Sequence, residues 1–200
     1  MTYLFRRFAF LALGLSLALP LAACGRQGAD ESPPLEGAAI GGPFTLVDKH
    51  GKTVTWDSFK GRWRIVYFGY TFCPDACPLD VQAMMRGFAL FEKSHAAQAA
   101  KVQPIFISID PERDTPEVVG EWTGAFGPRL LGLTGTPAQV KQAAAAFATP
   151  YSKGPETAGG YLMDHGRFAF LMDPDGKPIA ILATDKGPDA VAADLAKWVK

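Results

Sequence analysis

The sequence predicts an α/β layer fold: a central mixed sheet flanked by helices and finished by an antiparallel hairpin. Three observations carry that expectation. Ile65-Val66-Tyr67-Phe68 and Gln103-Pro104-Ile105-Phe106-Ile107-Ser108-Ile109 are short, nearly continuous apolar runs, the pattern of strands buried on both faces. Each is followed by a segment of helical character. Near the end, residues 168–172 and 179–182 flank Asp173-Pro174-Asp175-Gly176, a strong hairpin signal.

The remaining elements follow in order. Residues 44–47 and 53–56 read as a hairpin around the polar turn Asp48-Lys49-His50-Gly51-Lys52. Residues 79–94 read as a helix, with Val81, Met84, Met85, Phe88 and Phe91 near helical spacing. Thr115-Pro116-Glu117 opens another helix, with a hydroxyl at the cap and proline at the first helical position. Residues 130–133 form a brief strand. Thr136-Pro137-Ala138-Gln139 has the capping-box pattern and starts an alanine-rich helix to about Phe147. A glycine-rich loop over 153–160 leads to Tyr161-Leu162-Met163-Asp164-His165-Gly166. The last helix places Val191, Leu195 and Trp198 or Val199 on one side.

Ahead of this domain, residues 1–23 read as a bacterial lipoprotein signal peptide. Arg6 and Arg7 supply the positive start, residues 8–19 the apolar core, and Leu21-Ala22-Ala23-Cys24 the cleavage box. The apolar run is short for a membrane-spanning helix, which needs ~20 residues, though an uncleaved anchor is the competing reading. Either places the domain outside the cytoplasm, in the bacterial cell envelope. Cys24 would carry lipid and tether the protein to a membrane, and residues 24–42, rich in Gly, Ala, Pro and acidic residues, read as a flexible tether. The domain itself is expected over 43–200.

Composition is that of an ordinary globular chain, 48% hydrophobic and 20% charged. Formal net charge is zero, and loss of Arg6 and Arg7 would leave a small acidic excess. No basic stripe points to nucleic acid, and nothing demands more than a monomer.

With Cys24 lipidated, Cys73 and Cys77 are the only thiols left. Each precedes a proline, and that position is biased away from helix. The expected picture is a short loop ending at Pro78, with Cys77 at the helix cap, where N–H groups and the helix dipole favour a thiolate. Two thiolates suit a soft ion such as Cu(I), and imidazole suits copper or zinc. With His165 the donors number three, one short of a closed structural zinc site. A structural or redox disulfide is the competing reading in an oxidising compartment. His165 by itself reads more readily as a hydrogen-bonded loop residue than as a ligand. His50 and His95 read as solvated, Met84 and Met85 as helix core or surface, and Met163 as a remote axial candidate. Asp75, Asp110 and Asp164 are candidates for orienting a ligand.

Cysteines just after an early buried strand, at a helix start, match the thioredoxin-like arrangement, although fold by itself does not give function. Three blocks go further: Gly69-Tyr70-Thr71-Phe72-Cys73-Pro74-Asp75-Ala76-Cys77-Pro78, Ser108-Ile109-Asp110-Pro111-Glu112-Arg113-Asp114-Thr115-Pro116, and Asp164-His165 followed by Phe170-Leu171-Met172-Asp173-Pro174-Asp175-Gly176. With these the chain resembles the Sco/SenC family of copper-binding proteins. The resemblance implies a thioredoxin-like fold and copper held by Cys73, Cys77 and His165. It also implies a role in supplying or preparing the CuA site of a cytochrome c oxidase subunit, with another copper chaperone as a possible donor. Where the family commonly has serine after the histidine, this chain has Gly166.

Two functions compete: a copper metallochaperone, and a thiol–disulfide oxidoreductase that reduces the oxidase cysteines. Three residues between Cys73 and Cys77, where thioredoxin-type enzymes have two, and no proline at Asp164-His165-Gly166-Arg167 favour binding. A peroxidase reading from Thr71, two before Cys73, lacks its upstream proline.

Overall fold

The computed structural model describes residues 31–158 and 160–200. The chain forms β1 (Thr45–Val47), β2 (Thr53–Thr55), β3 (Trp63–Gly69), α1 (Ala76–Ser94), the single turn α2 (Ala96–Ala99), β4 (Val102–Ser108) and α3 (Pro116–Gly124). There follow β5 (Leu131–Leu133), α4 (Pro137–Ala146), β6 (Tyr151–Lys153), β7 (Met163–His165), β8 (Ala169–Met172), β9 (Pro178–Leu182) and α5 (Pro188–Trp198).

The expected mixed sheet is present, with strand order β5-β4-β3-β8-β9. Strands β3, β4 and β5 are parallel, while β8 runs antiparallel to β3 and β9 to β8. The apolar run at 65–68 lies at the centre because β3 is covered on both faces, and all seven of its residues are buried. Alternate side chains leave on opposite faces. Tyr67 reaches Asp80 of α1, whereas Phe68 packs on Phe147 at the end of α4, ring centroids 5.3 Å apart. On the α1 side, α5 packs against α1 where Gly87 lets the two helices approach closely.

Local signals specified the ends of α3 and α4. Thr115 accepts a bond from the Val118 N–H at 3.3 Å, and Thr136 and Gln139 exchange both capping-box bonds. The expected β8–β9 hairpin is also present, with Gly176 at φ +84° in its turn.

Three expectations need correction. The first helix begins at Ala76, so Cys77 lies inside its first turn and Pro78 behind it. Proline is tolerated there because N–H groups of the first turn have no intrahelical acceptor. Residues 151–153 form β6, which pairs with β7 and places Tyr151 opposite His165. Finally, the packed unit runs from Ser32 to Lys200, so 32–42 is not free tether. Leu35 donates its N–H to Ile179 at 3.1 Å and Gly41 to Ala146 at 2.8 Å, while Leu35 and Ile40 rest against the core. Two isolated apolar residues among Gly and Pro carry no period, so the sequence hid this contact. The signal-peptide reading and Cys24 lie outside the described residues. Among the described residues no helix is long and apolar enough to cross a membrane.

Candidate metal centre

The loop between β3 and α1 carries Cys73, which is half-buried, and the first turn of α1 carries Cys77, which is fully buried. Room for the Cys77 sulfur comes from Gly69 at the end of β3, where an added Cβ would stand 3.1 Å from Sγ. His165 ends β7, its ring nearly perpendicular to those of Tyr67 and Tyr70, centroids 6.4 and 6.0 Å away. Its Nε2 lies 3.3 Å from Cys77 Sγ. Its Nδ1 lies 2.9 Å from the Gly166 carbonyl, which can only accept. The Nδ1–H tautomer follows, leaving the Nε2 lone pair directed at the thiol. That bond uses backbone, so the missing serine at 166 does not disturb it. A side chain at 166 would meet the Phe168 ring at 2.6 Å.

Cys73 and Cys77 have opposite electrostatic surroundings. Burial pushes the Cys73 thiol up, but N–H groups of Cys77 and Asp75, with the Cys77 thiol and Tyr70 hydroxyl, outweigh it and bring its pKa below the ordinary value. The Cys77 N–H donates to Cys73 Sγ at 3.3 Å, so the sulfur caps the helix that Asp75 leaves without a side-chain bond. Burial also dominates at Cys77, and with the adjacent Cys73 sulfur it pushes that thiol well up. The favoured thiolate is therefore Cys73, not Cys77 as expected from the cap. Burial lowers the His165 pKa despite its bond to Gly166, keeping the imidazole neutral.

The fold thus brings Cys77 and His165 into contact and sets Cys73 beside them. As the side chains stand, no group of three His, Cys, Asp or Glu among the described residues is close enough to hold an ion.

Of the three acidic candidates, Asp75 is exposed and contributes its backbone N–H to Cys73, while Asp164 is exposed next to His165. Asp110 is buried, binding the Tyr161 hydroxyl at 2.8 Å and the Arg113 guanidinium. Arg113 in turn lies over Tyr161 and Phe72, 3.6 and 4.7 Å from their centroids, linking Asp110 to the cysteine loop. Met84 and Met85 are core, Met163 is buried, His50 is exposed, and His95, expected to be solvated, stacks on Phe91 at 5.0 Å.

Sequence reasoning missed two buried carboxylates. Asp80 binds Tyr67 and Arg167, and its spacing of three from Cys77 on a helix was the available signal. Asp114 accepts from the Thr71 N–H at 3.0 Å, the Thr71 hydroxyl at 2.6 Å and Ser108, anchoring the start of the cysteine loop. Burial raises the Asp114 pKa, against the opposing bonds from Ser108 and Thr71. The folded chain then holds this proton more tightly than the unfolded chain. As pH rises from the ordinary Asp range through the raised value, wild type should lose stability relative to Asp114→Asn. Urea unfolding of both proteins from pH 4 to 7 checks this; a gap that does not move with pH contradicts it.

Comparison with known proteins places these residues in context. The family model described as SCO1/SenC matches residues 32–200. The mitochondrial SCO1 homolog 1 of Arabidopsis thaliana is 37% identical over 170 residues, covering 85% of this chain and 50% of that protein. The chain spans about half the length of this relative and of the mitochondrial SCO1 homolog of Homo sapiens, which is 37% identical over 162 residues, covering 80% of this chain and 53% of that protein. Bradyrhizobium japonicum ScoI, solved with copper bound, shares 40% identity and a TM-score of 0.71 over 80% of this chain and 99% of its own. Arabidopsis thaliana ScoI, also copper-bound, gives 36% and 0.74 over 79% and 96%. The thioredoxin domain of a Bacteroides vulgatus thiol–disulfide oxidoreductase, 16% identical with a TM-score of 0.56 over 80% and 96%, shares the fold alone. The fold is thioredoxin-like, and with a family match spanning the whole packed unit, the chain belongs to the SCO1/SenC family.

Proposed function

We propose that this protein is a copper metallochaperone: it takes copper on Cys73, Cys77 and His165 and supports assembly of the CuA site of cytochrome c oxidase. The observation that carries the reading is the bare Nε2 of His165, held by the Nδ1 bond to Gly166 and aimed at Cys77 from 3.3 Å. Copper in relatives at 36 and 40% identity supports it. Two sulfurs and one imidazole match a soft cation, and three donors leave a position through which a partner's ligand enters. Closing the set requires Cys73 Sγ to exchange its N–H partners for the ion. Its half-buried position suits cargo that must leave again. Lipid on Cys24 would hold the domain at a membrane of the bacterial envelope, facing the oxidase.

His165→Ala tests the ligand set. The reduced variant should bind copper at least ~10-fold more weakly, with an altered spectrum, while the Cys73–Cys77 disulfide still forms. Unchanged affinity and spectrum would falsify the three-ligand reading.

A second reading is favoured by the contrast between the thiols. Cys73, with its lowered pKa, would attack a disulfide of the oxidase subunit as the thiolate, forming a mixed disulfide and releasing one partner thiolate, which takes up a proton. Cys77, losing its proton to His165, would then attack Cys73 Sγ, releasing the second partner thiolate and leaving a Cys73–Cys77 disulfide. An oxidase fragment presented with its copper-site cysteines oxidised or reduced separates the two. Copper transfer to the reduced fragment supports the chaperone, and rapid reduction with no transfer supports the reductase.

A further inference from the structure

Asp80 ties together three segments around the site, and the copper-binding reading gives it no role. It lies three residues after Cys77 on α1, on the same side of the helix, and its side chain is only 3% exposed. Oδ1 accepts from Arg167 Nη2 at 2.7 Å, and Oδ2 from Arg167 Nε at 2.8 Å and the Tyr67 hydroxyl at 2.9 Å. Arg167 follows His165 by two residues, and the Tyr67 ring stands perpendicular to the His165 imidazole, centroids 6.4 Å apart. A single carboxylate therefore joins α1, β3 and the turn after β7.

That tie is needed because of where His165 sits. β7 belongs to a two-stranded ribbon with β6, separate from the five-stranded sheet, so ladder bonds do not attach it to β3. The Nδ1 bond to Gly166 orients the ring against its own backbone and not against α1. On the side of the ribbon preceding β7, Tyr161 is held by Asp110 and Arg113. On the side following it, the Asp80–Arg167 fork closes the distance to the cysteine-bearing helix. A buried carboxylate is tolerated because both oxygens are matched by a bidentate guanidinium and a hydroxyl.

We infer that Asp80 and Arg167 are positioning residues whose ion pair sets the Cys77–His165 separation and so governs how long the site retains a soft cation. The inference rests on the proposed use of His165 as a copper ligand. A pair that only stabilised the fold would act alike whether or not His165 was present. The test therefore uses Arg167→Gln and Arg167→Lys, each in the wild-type and His165→Ala backgrounds, with Cu(I) release to a chelator followed under reducing conditions.

Arg167→Gln should speed release ~10–100-fold in the wild-type background and leave the His165→Ala rate unchanged. Arg167→Lys, which keeps the charge and loses the fork, should fall between. Equal acceleration in both backgrounds, or none in either, overturns the inference. In the copper-free reduced protein, exchange of the His165 Nδ1–H with solvent, read by NMR, should quicken in Arg167→Gln by more than the loss of global stability in a parallel thermal melt accounts for. If wild type holds no copper, the chaperone reading fails separately. An unchanged exchange rate then overturns the positioning role as well, and a quickened one sustains it.

Discussion

Cys77→Ser should abolish useful copper binding by the reduced domain, lowering affinity by at least ~100-fold, beyond the usual effect of losing an outer partner. The serine hydroxyl is nearly isosteric and can still donate to His165 Nε2, so the fold around it should survive. It is, however, a hard donor that stays protonated at neutral pH and offers a soft ion little. Cys77 is fully buried beside Gly69, and among the described residues the other thiol, Cys73, is already a proposed donor. Competition with a Cu(I) chelator, beside a thermal melt, measures both expectations. Wild-type affinity in a folded Cys77→Ser protein would remove Cys77 from the ligand set.

Gly87→Val should have the largest effect on stability, about 3 kcal/mol. A Cβ at Gly87 would stand 2.6 Å from both the Pro188 carbonyl oxygen and Val191 Cβ. The carbonyl belongs to the first turn of α5 and cannot rotate aside as a side chain would, so α5 must move off α1. Gly87→Ala separates the opposing effects. Alanine gains about 1 kcal/mol of helix propensity over glycine, yet overpacking typically costs ~1–3 kcal/mol, so the alanine variant should be milder but still destabilised. Urea denaturation of the reduced proteins decides it. A valine variant as stable as wild type would mean that the helices are not so close.

Both predictions concern positions whose importance has different origins. Cys77 was legible from its motif, whereas Gly87 is one glycine in a helical pattern until α5 is seen against it. The same division runs through the site. Cys73, Cys77 and His165 stand out as candidate donors from the residues and the family blocks, but the proline spacing points to the wrong cysteine at the cap. Pro78 suggests a helix start there, but the first turn accommodates it and the chain enters helix at Ala76. That shift of two residues buries Cys77 and leaves Cys73 Sγ to receive the N–H bond. Asp75, Asp110 and Asp164 stand near the site segments in sequence. Asp80 and Asp114, which hold the surroundings of the site, act on residues 87 and 43 positions away.

By itself, the sequence determined the features whose causes are local. These are the buried strands from their apolar runs, α3 and α4 from their caps, and the last hairpin from its turn; the family blocks single out Cys73, Cys77 and His165 as the donors proposed above. Tertiary structure alone decided which thiol is the easier one to ionise, which ring nitrogen of His165 is free, and what ties the β6–β7 ribbon to α1. Each of these depends on burial and on partners contributed by distant segments. Desolvation and hydrogen bonding act through space, and chain order does not reveal them.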